Sequence, residues 1–396
     1  MVMSDRQTPA RRRPRAESPS PGPRRRPRRS RTKLRGKKRA QRAKKRAQER
    51  AARQRSASPA KGARRRKSAS SARPPKEKRR RSKAEPVLPG QLVFAEARIQ
   101  DGRHWLRPDA VVLLLVKFLL AVYATKYGMK LHGLVLMSTH YHLLFTDVRG
   151  QRSAFFRDFH AMLGKLLQVV RGSPKRAWTK DGLSKVEVVS REGAIESYGY
   201  MLANPVAAHL VAEPRQWPGL LSAVAHVARR VRETLALPDR IRCDDGRLVR
   251  WFDPARWPGE AELVFEPLAE RLGMDPDDCV QAVQAHLDAL VADAHQELAK
   301  ARGRWLGVHR ALRVPVHREA GPPPGRGELN PRVKAGRDQR DLRELALARR
   351  RDHQAGMARA LEAVREGETG VVFPAGTDRW HHVFGFPRQD PPPLLL

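Results

Sequence analysis

Apolar and polar residues alternate over Gln91–Ile99, which predicts a strand: Val93, Ala95, Ala97 and Ile99 share one face, and Leu92, Phe94, Glu96 and Arg98 the other. Pro108 then opens a predicted helix that runs to about Tyr127, a position where proline is tolerated. From Lys130 to Thr146 the chain is strand-like again, as one long strand or as two joined by a bend near Ser138-Thr139. Helical spacing returns with Phe155, Phe156, Phe159, Leu163, Leu166, Leu167 and Val170, and Ser153 is the predicted N-cap. Arg157, Lys165 and Arg171 fall off that stripe; they could meet phosphate, but a solvated face is the preferred reading. Gly172-Ser-Pro174 ends this helix; a short strand over Ser184–Ser190 and a helix over Glu192–Ala203, stopped by Pro205, follow.

The order strand, helix, strand or strand pair, helix, strand, helix predicts an α+β class, with helices on one or both faces of an antiparallel sheet. Beyond residue 220 the pattern reads as mainly helical. Asp275-Pro276-Asp277-Asp278 is a helix start, with a capping carboxylate, proline in the first turn and further acids there. A second amphipathic helix is predicted over Gln339–Arg365, after a linker at Pro322-Pro-Pro324; Pro391–Leu396 reads as a loose tail. The domains expected are a basic tail (1–85), an α+β unit (88–220), a mainly helical region (221–320) and a C-terminal helix and tail region (325–396).

Charge changes the picture most at the N-terminus. Residues 1–85 hold 35 of the 80 Lys and Arg and 5 of the 41 acids, a net of +30, against +9 for the other 311 residues. Few large apolar residues occur there, so the tail is expected to be disordered. Its runs suit polyphosphate binding; a solvated tail, a translated upstream frame and a nuclear localisation signal are the other readings. The tail lacks the apolar core of a signal peptide and does not read as secretory. Val111–Ala124, interrupted by Lys117, is short for a membrane span and reads as the core helix of a soluble protein, so no membrane is expected as a partner. Cys243 and Cys279 have no metal-ligand spacing and suggest a reducing compartment.

The candidate chemistry lies in Met137-Ser-Thr-His140-Tyr141-His142-Leu-Leu-Phe145. Residues two apart on a strand face the same way, so His140 and His142 can grip one metal ion, while Tyr141 points to the other face. Taken alone, the pair also reads as two partly buried histidines with hydrogen-bond partners. Downstream stands Tyr200-Met-Leu-Ala-Asn204-Pro205, in which Tyr200 and Asn204 can share a helix face. Asn204 is a third metal ligand or, before Pro205, a helix terminator. Tyr198 is the rival nucleophile, but two residues on a helix turn about 200°, so one of the two tyrosines can face the metal.

Together the two segments resemble the REP-associated tyrosine transposases of the HUH single-strand nuclease class, over about residues 88–220. Met137-Ser138-Thr139 departs from the family wording Met-Pro-Asn or Met-Ser-Asn without touching the histidine pair. The resemblance implies a ferredoxin-like core, Tyr200 as the nucleophile because it stands four residues before Asn-Pro, and Tyr198 as core. It also implies a 5′-phosphotyrosine intermediate on single-stranded DNA, with hairpin or palindromic repeat ends as targets, a bacterial, cytoplasmic and nucleoid-associated protein, and room for a homodimer. His140 and His142, with Asn204, would hold Mg²⁺ or Mn²⁺; imidazole ligands suit Mn²⁺ well. The alternative is a catalytically inactive DNA- or RNA-binding protein on the same fold.

Overall fold

β1 (Gln91–Ile99) divides the molecule as its alternation predicts. Val93, Ala95, Ala97 and Ile99 enter one buried cluster, Leu92 and Phe94 the other. A computed structural model describes residues 85–173, 176–250, 252–253, 257–320 and 332–396, within one compact unit, Lys78–Leu396. The expectations for the basic tail before Glu85, for Pro174 and for Pro322-Pro-Pro324 lie outside the described residues.

α1 (Ala110–Tyr127) begins two residues after Pro108, where the Asp109 carboxylate accepts from the Val112 N–H; it ends on Gly128 at φ 68°. By length and composition α1 is apolar enough to cross a membrane, yet Leu115, Phe118 and Leu119 are buried within the fold. The histidine segment resolves into two strands, β2 (Met129–Leu136) and β3 (His140–Asp147), turning at residues 137–139. α2 (Arg152–Arg171) starts at Arg152, so Ser153 is not its cap. The Asp147 carboxylate at the end of β3 takes that role, accepting from the N–H groups of Gln151 at 2.8 Å and Arg152 at 2.9 Å. β4 (Trp178–Val188) is longer than expected, and α3 (Arg191–Ala207) follows.

The four strands lie in the order β2-β3-β1-β4 and every neighbouring pair is antiparallel. With α1 and α2 as the crossovers, this is the ferredoxin-like βαββαβ arrangement. α1 and α2 bury their apolar faces on one side of the sheet; α3 and α5 (Pro276–Lys300) cover the other. α5 begins as the sequence predicts, with Asp275 accepting from Asp277 N–H at 2.8 Å and Asp278 N–H at 3.2 Å. It lies close on α3 because Gly199 has no side chain; a Cβ there would stand 2.7 Å from the His286 ring.

The region 221–320, expected to be mainly helical, also supplies strands. β5 (Val231–Ala236) and β8 (Glu260–Phe265) continue the sheet beyond β2, and β6 (Ile241–Arg242) pairs with β7 (Leu248–Val249) in a separate ribbon. β9 (Val333–Lys334) pairs with β4, giving the order β5-β8-β2-β3-β1-β4-β9. The β2–β8 and β4–β9 contacts are parallel, so the complete sheet is mixed. α4 (Leu268–Leu272), α6 (Val308–Arg313), α7 (Arg340–Arg365) and α8 (Asp378–Phe384) complete the described α-helices.

Two expectations about polar and terminal segments fail. Arg171 is buried rather than solvated, because the last turn of α2 meets the start of α1: its guanidinium pairs with Asp109, and with Asp244 at 2.6 Å. Pro391–Leu396 is docked rather than loose. Arg349 donates to the Pro393 carbonyl at 2.7 Å and Arg271 to the Leu396 carbonyl at 2.7 Å, while Leu395 packs with Val333 and Ala346.

Candidate functional site

β3 presents His140 and His142 on the face covered by α3. The antiparallel register sets Arg98 opposite His140 and Glu96 opposite His142, so two charged residues of β1 flank the imidazoles. Arg98 and Glu96 pair with each other. The His142 ring lies nearly parallel to Phe94, 5.5 Å between centroids and 11° between planes. Tyr200 stands edge-on to His142 at 5.6 Å and to Phe94 at 6.2 Å. The two imidazoles are 4.9 Å apart and perpendicular.

α3 can bring Tyr200 and Asn204 here because it does not stop at Pro205. Proline removes one N–H, the partner of a single carbonyl one turn back. The helix continues regardless to Ala207, where the Ala208 N–H donates to the Asn204 carbonyl at 2.9 Å. Asn204 is therefore not the helix end. Its side-chain Oδ1 lies 3.3 Å from His140 Nε2, while His140 Nδ1 lies 2.9 Å from Thr139 Oγ1. If Nδ1 donates to Thr139, the Nε2 lone pair and the amide oxygen face each other as two acceptors. His142 is fully buried, and among the described residues neither of its ring nitrogens has a partner in hydrogen-bond geometry, although the Asn204 amide beside it favours the charged form. Its Nδ1 is 4.0 Å from the Glu96 carboxylate.

Burial holds both imidazoles neutral, with pKa values pushed down to about 3; the other histidine and Arg98 depress His140 further, and Arg98 depresses His142. Neutral imidazole is the metal-binding form. The Tyr200 phenol is raised by burial and by Glu96, against which Arg98 and a hydrogen bond from Asn204 favour the phenolate. Tyr200 nevertheless stays 43% exposed, open to a substrate.

The structure thus brings together His140, His142, Tyr200 and Asn204. It separates Tyr198, whose buried hydroxyl donates to the Ala223 carbonyl at 3.0 Å, packed with Ala194 and Met201. Tyr141 is buried on the far face, its hydroxyl 2.6 Å from His160 Nε2. Phe94, Glu96 and Arg98 were not anticipated as site residues; the signal for them was the mixed face of β1, where charge replaces apolar residues after Phe94. Among the described residues no three His, Cys, Asp or Glu side chains group as a metal site. The donors present are two imidazoles and one amide oxygen. The orphan nitrogens of His142, and His140 Nε2 with the Asn204 amide oxygen beside it, fit a divalent cation.

Beside Tyr200 opens a cavity of about 470 Å³, within the size range of ligand clefts, with Phe94, Glu96 and Val186 on its sheet side.

No protein-family model matches the chain, and no curated protein sequence matches it. Among solved structures, a REP-associated tyrosine transposase bound to a REP hairpin is similar at 14% identity and a TM-score of 0.30, over 33% of this chain and 76% of that one.

Proposed function

We propose that this protein is a tyrosine transposase that cleaves and rejoins single-stranded DNA, with Tyr200 as the nucleophile. The observation that carries the reading is the meeting of the half-exposed Tyr200 phenol with the buried, unpartnered His142 imidazole at 5.6 Å. Structural histidines ordinarily find hydrogen-bond partners when buried. The resemblance carried by the two segments, His140-Tyr-His142 and Tyr200-Met-Leu-Ala-Asn204-Pro205, supports the family and the hairpin-end substrate of this reading.

In the reaction the Tyr200 oxygen attacks a backbone phosphorus. A tyrosyl O–P bond forms, the bond to the 3′ oxygen breaks, and the proton lost by the phenol is balanced by the one gained by the 3′ hydroxyl. A second 3′ hydroxyl reverses the step on a new strand; the bond energy is conserved, so no nucleotide cofactor is consumed. His140, His142 and Asn204 would hold Mg²⁺ or Mn²⁺, which supplies Lewis-acid polarisation of the phosphate. Arg98 lies across the sheet from His140 and adds positive charge on the side of the developing phenolate.

A second reading, an inactive DNA- or RNA-binding protein on the same fold, is favoured by the ligand set, which holds no third His, Cys, Asp or Glu. A denaturing gel separates the two. Labelled single-stranded DNA ending in a hairpin, incubated with the protein and Mn²⁺, should give a slow, protease-sensitive band. Tyr200→Phe should bind the DNA within a few fold and give no band. Binding by the wild type without a band would leave the second reading.

A further inference from the structure

The cavity beside Tyr200 has a second wall that lies outside the ferredoxin-like strands. β9 and the start of α7 build it, with Lys334, Arg337, Arg340 and Arg343 lining the space. Arg340 and Arg343, three apart, share one helix face. Asp338, Asp341 and Glu344 alternate with these arginines along the chain but do not line the cavity. The three arginines are exposed and, among the described residues, none forms an ion pair, whereas Lys334 is 3.5 Å from Glu196. Facing them are the apolar side chains of Phe94 and Val186 and the ring of Tyr200.

This wall is tied to the helix that carries the tyrosine. Ser190 caps α3 by accepting from the Gly193 N–H at 3.0 Å, and the same oxygen accepts from the Gly336 N–H at 2.8 Å. The Val189 N–H donates to the Lys334 carbonyl at 2.9 Å. Gly336 sits so close to α3 that a Cβ would stand 2.7 Å from the Glu192 Cβ. The arginines are thereby held at a fixed place relative to Tyr200.

We propose that Arg337, Arg340 and Arg343 form the backbone subsite for the single-stranded DNA on which Tyr200 acts. Phosphates next to the attacked one lie on the guanidinium wall, and an unpaired base lies on the apolar side formed by Phe94 and Val186. Guanidinium forks match phosphate oxygens, and base stacking on an aromatic floor accepts any sequence. The subsite therefore grips the strand without choosing its sequence. The inference deepens the tyrosine transposase reading and rests on it for the identity of the strand.

The test uses the full chain and a long labelled oligothymidylate, with affinity measured against salt by anisotropy. Each phosphate contact on a single strand contributes a slope of roughly −0.7, so R337A/R340A/R343A should flatten the plot by about 2. R343Q alone should flatten it by about 0.7 should the triple variant fail to fold. The variant R337K/R340K/R343K keeps the charge and should keep most of the slope. An unchanged slope in a folded alanine variant overturns the proposal. The covalent band is scored separately: a flattened slope with no wild-type band keeps the subsite and removes the nuclease reading, and a band with an unchanged slope does the reverse.

Discussion

His140 Nε2 and Asn204 Oδ1 meet at 3.3 Å across the gap between β3 and α3, although 64 residues separate them in the chain. If the pair shares a cation, the amide is the exchangeable part. Asn204→Asp should bind Mn²⁺ more tightly and Asn204→Ala more weakly. A ligand that binds only the folded state raises its melting temperature by an amount set by concentration over Kd. The melting shift with Mn²⁺ therefore orders the three proteins without any cleavage assay. No shift in the wild type would remove the metal from the site.

His142 gives the complementary test. Two buried nitrogens without partners cost free energy when no metal is present, about 1–3 kcal/mol for an unsatisfied group. In chelator, His142→Phe should be about 1 kcal/mol more stable than the wild type by urea unfolding. In Mn²⁺ the order should invert. A His142→Phe protein less stable in both conditions would mean that the imidazole is held by packing alone.

Tyr198 tests the choice of nucleophile. Tyr198→Phe should lose the hydrogen bond to the Ala223 carbonyl and about 1 kcal/mol of stability, yet still form the covalent band. A Tyr198→Phe protein that folds, binds DNA and gives no band would transfer the nucleophile's role to Tyr198.

His132 predicts a pH dependence away from the metal ligands. It is buried, with Nδ1 3.0 Å from the Glu266 carbonyl and Nε2 2.9 Å from Thr146 Oγ1, so the neutral ring donates to the first and accepts from the second. Burial pushes its pKa down to about 4 from an ordinary 6.5. The unfolded chain therefore binds the proton more readily, and stability falls as pH falls from 6.5 towards 4. The slope from this residue is at most about 1.4 kcal/mol per pH unit. His132→Gln should lower that slope over this window; equal slopes for the two proteins would remove His132 from the titration.

The basic tail remains a charge argument. Deleting residues 1–85 should flatten the salt dependence of DNA binding, and by more than the arginine-wall variant does, since the tail carries 35 Lys and Arg. The preferred cleavage position should persist, because phosphate contacts carry no sequence information. Loss of that position on deletion would put specificity in the tail.

The legible part of the site was local. His140 and His142 are two apart on a strand, and Tyr200 and Asn204 are four apart on a helix; each spacing fixes a shared face before any tertiary contact forms. Glu96 and Arg98 were not legible as neighbours of the histidines because the β1–β3 register decides that, and register is a property of two strands. The arginine wall was still less accessible. Its place depends on β9, a two-residue strand, pairing with β4 and on one N–H reaching Ser190. β5 escaped because Arg232, Glu233 and Thr234 are exposed in succession and break the alternation that announced β1. The continuation of α3 through Pro205 shows the opposite error, a strong local rule outweighed by the packing of Met201, Leu202 and Val206.

The two outermost strands bear on assembly. A sheet that stopped at β2 and β4 would offer long rows of unpaired backbone groups to any extended chain, including a second copy. Here β8 meets β2 at Leu131, with β5 paired outside β8, and β9 meets the end of β4 at Glu187 and Val188. β5 carries Arg232 and Glu233 in exposed positions, and β9 offers only Val333 and Lys334. Charged and very short borders are poor templates for strand addition. The additions to the ferredoxin-like core therefore narrow the backbone left open to sheet continuation and put charged or very short segments at its two borders.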